Sequence, residues 1–126
     1  MRFYQCRHCG NMISFHREVV PSVKCCGTAM LEMEPNTADA SGEKHVPILD
    51  VHGREALVQV GKAEHPMTEE HHIEWVILET TRGYYKRYLQ PEVPPEARFT
   101  LQKDEAVRSA YEYCNIHGLW KSPRRD

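Results

Sequence analysis

Four of the chain's five cysteines fall within its first 26 residues, as Cys6-x-x-Cys9 and the adjacent pair Cys25-Cys26. No other feature limits the fold as strongly. A segment of about 36 residues cannot bury enough apolar surface to hold itself folded, and it needs a staple. Four thiolates converging on one ion supply that staple, and a closed tetrahedral sulfur site for zinc or iron leaves no position for a substrate. The fifth cysteine, Cys114, stands apart, three residues before His117. A lone cysteine among scattered histidines suggests a second, mixed nitrogen and sulfur site that can stay open.

At 126 residues, the chain accommodates a small stapled domain and a second domain of about 90 residues. A formal net charge of −2 without any dense Lys/Arg run argues against a nucleic-acid binder. The start, Met1-Arg2-Phe3-Tyr4-Gln5-Cys6, lacks the apolar stretch of an export signal, and no later run approaches the roughly 20 apolar residues of a membrane span. The expectation is a soluble cytoplasmic protein with no membrane partner. An odd cysteine count in a reducing compartment argues against a disulfide framework and for metal binding.

Residues 1–36 read as a knuckle at Cys6 to Gly10, an extended stretch from Met12 to Val20, then Pro21 and a second knuckle at Cys25-Cys26-Gly27. Polar, aperiodic Pro35 to Gly42 is linker-like, which gives domains at 1–36 and 43–126 with a linker at 37–42. Beyond it the pattern is strand-like. An apolar run from Val46 to Val51 precedes a turn signal at His52-Gly53, and Ala56, Val58 and Val60 then alternate with polar or solvent-side neighbours. His72 to Thr80 and Tyr84 to Leu89 flank a turn at Thr81-Arg82-Gly83, and prolines 91, 94 and 95 precede a strand from Ala97 to Gln102. Short strands at this spacing predict a mainly β protein whose larger domain is an antiparallel sandwich. Residues 104–113 fit a helical turn or a strand equally well.

The spacing of the first cluster is the more specific signal. A zinc ribbon usually offers two Cys-x-x-Cys knuckles, whereas adjacent Cys25-Cys26 cannot form the second one. This arrangement resembles desulforedoxin and the N-terminal domain of desulfoferrodoxin, where the ion is iron. The other motifs are Glu43-Lys44-His45-Val46-Pro47, His65-Pro66-Met67, His71-His72-Ile73-Glu74-Trp75 and Cys114-Asn115-Ile116-His117-Gly118. Together they resemble the catalytic domain of superoxide reductases, and with the cysteine-rich segment the likeness to the two-iron form, desulfoferrodoxin, covers the whole chain.

That resemblance implies an iron held by Cys6, Cys9, Cys25 and Cys26, and a second, square-pyramidal iron with His45, His65, His71 and His117 equatorial and the Cys114 thiolate axial. It further implies an immunoglobulin-like sandwich over residues 43–126, a strand at 106–113, a homodimer, and a one-electron donor such as rubredoxin. The implied reaction is reduction of superoxide to hydrogen peroxide. Lys44 beside a ligand would attract the anion, and Glu43 would bind the iron once product leaves. The four-cysteine centre would store or relay electrons, a role its ligands make no more compatible than a purely structural one. Strand alternation separates one pair without the family: His71, Ile73, Trp75 and Ile77 share a face, His72 shares the other with Glu74 and Val76, and the metal is expected on the Trp75 face. His72, where the family often carries an aromatic residue, is then a bystander, and His8, His16 and His52 are solvated side chains. The alternative is a non-catalytic electron-transfer or metal-binding protein.

Overall fold

The computed structural model describes residues 1–17, 22–39 and 44–125, so Val20, Pro21 and Glu43 lie outside the described residues. Every regular element among the described residues is a strand. The chain divides into two compact units, Met1–Glu34 and Pro35–Asp126.

In the first unit, β1 (Tyr4–Gln5) lies between β2 (Met12–Ile13) and a later strand, while β3 (Lys24–Cys25) and β4 (Thr28–Ala29) form a separate antiparallel pair; that later strand is β5 (Leu31–Glu32). The core is correspondingly small: Tyr4, Cys6 and Met30 are buried, with Ile13, Phe15 and Val23 packed against them. The adjacent cysteines have a backbone explanation. Cys25 ends β3, and the two residues that turn the chain into β4 are Cys26 and Gly27, with φ of 53° and 78°. Two consecutive left-handed residues are what the tight mirror-image hairpin turn requires, and glycine takes the second without strain.

The second unit contains β6 (Pro47–His52), β7 (Glu55–Val60), β8 (Ile73–Thr80), β9 (Gly83–Tyr88), β10 (Glu96–Thr100), β11 (Val107–Cys114) and β12 (Gly118–Lys121). They form two antiparallel sheets, ordered β10-β7-β6 and β12-β11-β8-β9. Val58, Val60, Ala97 and Phe99 of the first sheet meet Ile73, Val76, Leu78, Ala110 and Cys114 of the second in one core. This is an immunoglobulin-like sandwich. Residues 104–113 resolve towards a strand because β11 pairs along nearly its whole length with β8.

The strand alternation expected through His71 and Trp75 does not hold. Tyr113 pairs with Trp75 while the next residue, Cys114, pairs with Ile73, so Glu74 is an extra residue in β8. Such a bulge reverses the facing of everything before it. Ile73 therefore points into the core with Val76 and Leu78, whereas Trp75 faces the other way, its ring stacked 5.9 Å from Tyr113. Next to the expected 37–42 linker, Asn36 bonds in both directions with β12, its N–H to the Leu119 carbonyl at 2.9 Å and its own carbonyl to the Lys121 N–H at 2.9 Å.

Candidate metal centres

Antiparallel register brings the histidine-bearing segments to one pole of the sandwich. Pro47 at the start of β6 pairs with Val60 at the end of β7, and Ile73 at the start of β8 pairs with Cys114 at the end of β11. The segments just outside those termini carry His45, His65, His71 and His117. Their rings close a cycle: successive centroids lie 4.9 Å apart for His45 and His65, 4.7 Å for His65 and His71, 5.0 Å for His71 and His117, and 4.7 Å for His117 and His45. Together with the Cys114 sulfur, one donor atom from each residue lies within 4.8 Å of every other.

The burial is graded. Cys114 and His65 are buried, His45 and His71 are half-buried, and His117 is exposed, so the group has a closed floor and an open side. Donor chemistry fits a cation. The Nε2 atoms of His65 and His71 are buried without a hydrogen-bond partner, a costly condition unless something else takes the lone pairs. Burial pulls the His65 imidazolium down to about 4 and lowers His71 as well, with His117 and His45 adding repulsion. These rings are neutral donors at pH 7. Nδ1 of His65 bonds the Pro66 carbonyl at 2.7 Å, so Nε2 is left facing the group. Nε2 of His45 and Nδ1 of His117 approach to 3.0 Å. Burial raises the Cys114 thiol, opposed by the His117 and Ile116 backbone amides, the former 3.4 Å from the sulfur. A bound cation is what would favour its thiolate.

The floor is stitched to its surroundings by Asn115. Its Oδ1 accepts the His72 N–H at 3.0 Å, its Nδ2 donates to the Glu70 carbonyl at 2.9 Å, and its backbone N–H reaches the His72 carbonyl at 3.2 Å. Thr68 holds the other side of this loop, accepting the His71 N–H at Oγ1. His72 turns its Nδ1 to the Thr68 carbonyl at 3.0 Å and is outside the five-residue group. Lys44 is exposed, and its charge helps lower His71. Two residues gave no usable sequence signal: Asp39, which bonds His45, and Trp120, whose ring stacks on His45 with centroids 4.6 Å apart.

In the first unit, Cys6, Cys9, Cys25 and Cys26 bring their sulfurs within 4.8 Å of one another. The Cys9 and Cys25 sulfurs are 3.6 Å apart, and Asn11 Nδ2 lies 3.7 Å from the latter. The Cys9 backbone N–H, aimed at the Cys6 sulfur, leads the effects that bring that thiol down to about 6, whereas the thiol of Cys9 pushes its neighbours Cys25 and Cys26 up. Four thiols so close fit an ion that takes the place of their protons. Cys9 and Cys26 are exposed, so this centre faces solvent through two sulfurs.

Residues 37–123 match the desulfoferrodoxin family. The chain is 40% identical to a desulfoferrodoxin homolog of Archaeoglobus fulgidus over 122 residues, covering 97% of this chain and 96% of the relative. It is 41% identical to the desulfoferrodoxin of Nitratidesulfovibrio vulgaris over 119 residues, covering 94% and 93%. The crystal structure of the superoxide reductase from Treponema pallidum superposes with a TM-score of 0.80 at 36% identity, covering 95% of each chain.

Proposed function

This chain belongs to the desulfoferrodoxin family, and from that premise we infer that it is a superoxide reductase with two iron centres. The observation that carries the reading is the closed cycle of four imidazoles above a buried cysteine sulfur. His45, His65, His71, His117 and Cys114 would hold the catalytic iron, and Cys6, Cys9, Cys25 and Cys26 the other. Iron in the histidine site supplies the single electron in O2•− + e− + 2 H+ → H2O2.

The protein's own residues do the rest. Neutral imidazoles leave the site cationic, and the anionic sulfur of Cys114 tempers that charge while donating electron density from the closed side. Lys44 beside His45 adds positive charge where a small anion would enter. The family resemblance supports a role for Glu43, one residue before Lys44, as a carboxylate that would bind the iron once product leaves. The exposed ring of His117 marks the side that solvent protons reach. The family resemblance supports a desulforedoxin-like four-cysteine domain over residues 1–36, a connection at 37–42 and a catalytic sandwich over 43–126. One external electron is needed per turnover. The family resemblance supports a rubredoxin-type donor and a homodimer. Five free cysteines favour a reducing cytoplasmic setting, and no helix among the described residues is long and apolar enough to cross a membrane.

Cys114→Ser tests the reading directly. A hydroxyl cannot supply the thiolate's charge or donation, so the thiolate-to-iron absorption of the histidine site and nearly all superoxide reduction should disappear in pulse-radiolysis kinetics. A variant with near wild-type rates would overturn the assignment.

A further inference from the structure

Resting on the reading of His45 as an iron ligand, we propose that Asp39 is a positioning residue of the catalytic centre, orienting His45 and supplying negative charge to it through the ring. The carboxylate contacts three nitrogens in one short stretch of chain. Oδ1 lies 3.1 Å from His45 Nδ1 and accepts the His45 backbone N–H at 3.1 Å, while Oδ2 accepts the Val46 N–H at 3.0 Å. The Asp39 side chain is only 5% exposed, so water screens these bonds little. A carboxylate that accepts Nδ1–H fixes the tautomer, leaving Nε2 bare and directed at His117 Nδ1.

Asp39 is itself held. Three residues earlier, Asn36 is bonded on both sides to β12 and its Nδ2 reaches the Leu119 carbonyl at 3.3 Å. The ring stacked on His45 belongs to Trp120, the β12 residue bridged to Asn36. Thus β12 controls His45 twice, by stacking from Trp120 and through the anchored segment that delivers Asp39. The contrast with His65 is chemical: its Nδ1 meets a neutral carbonyl, whereas that of His45 meets an anion. The latter makes the imidazole a stronger donor to a cation.

Two variants separate orientation from charge. Asp39→Asn keeps an oxygen acceptor in a side chain of the same shape but removes the charge. In the oxidised, iron-loaded protein its thiolate-to-iron band should move to lower energy, because the iron becomes more electron-poor, while iron loss to a chelator stays within about threefold of wild type. Asp39→Ala removes both functions, and its iron should be extracted faster by about 10- to 100-fold, the range for removing an outer partner of a metal-bound histidine. An unmoved band in the Asn variant overturns the electronic role even if the Ala variant loses iron, and unchanged extraction in the Ala variant overturns the orienting role. His45→Ala is the reference. If it retains band and iron, the ligand reading itself fails; if it loses them while both Asp39 variants match wild type, only the role of Asp39 falls.

Discussion

His71 and His72 are neighbours with different environments, and the difference arises outside any strand. β8 begins only at Ile73, so period-two alternation had no backbone to act on at either histidine. His71 is selected by the Thr68 and Asn115 hydrogen bonds around its loop, which turn its Nε2 towards the other rings and give His72 Nδ1 the Thr68 carbonyl instead. His71, the neighbour the alternation argument favours, is the one within the five-residue group, but the Glu74 bulge defeats the face argument that selects it. His71→Ala should weaken iron retention by on the order of tenfold or more and disturb the spectrum, whereas His72→Ala should leave iron content and spectrum near wild type. Iron lost from the His72 variant and kept by the His71 variant would reverse the assignment. Asp39 was hidden for another reason. An acid six residues before a histidine, inside a polar aperiodic run, has no spacing that marks it, because its approach depends on a tertiary bond made by Asn36 to β12.

At the scale of elements, the sandwich strands were legible because alternation and turn residues bound them, and Pro47–His52 and Glu55–Val60 differ little from the expected runs. Bulges were not legible, since the extra residue is defined only by the partner strand. The β6–β7 pair shows how an element sets the site. Its open end must let the chain carrying Lys44 and His45 pass beside Gly61, whose φ is 80° and whose added Cβ would lie 2.5 Å from both the Lys44 carbonyl carbon and oxygen. That contact is with backbone, so a flexible side chain cannot relieve it. Gly61→Ala should destabilise the protein by about 2 kcal/mol or more, combining left-handed strain with the clash. It should also displace His45 enough to accelerate iron loss. Urea denaturation within about 0.5 kcal/mol of wild type would show that the Lys44 backbone yields freely and that the crossing is not tight.

At the scale of the whole molecule, the cysteine partition in the sequence corresponds to two structural units, each containing all the donors of one candidate centre. The first unit has a core of only a few buried side chains, so its order should depend on its metal. The second has a two-sheet core in which every buried apolar contact named above is internal, so its fold should not. Cys6→Ser combined with Cys9→Ser removes two sulfurs from the first group, and a neutral hydroxyl is a poor substitute for a thiolate. The expected product binds one iron per chain instead of two, loses the four-sulfur absorption and keeps the histidine-site band. When that iron is reduced beforehand by a small-molecule reductant, the first reaction with superoxide in stopped flow or pulse radiolysis should proceed within about twofold of the wild-type rate, since each donor of the histidine group lies in the second unit. Any deficit should appear only in steady-state turnover with a protein donor, where a relay through the four-sulfur centre would matter. Loss of the fast single reaction while the histidine iron remains bound would mean that the first centre participates in the chemistry, and the separation of roles between the two units would have to be abandoned.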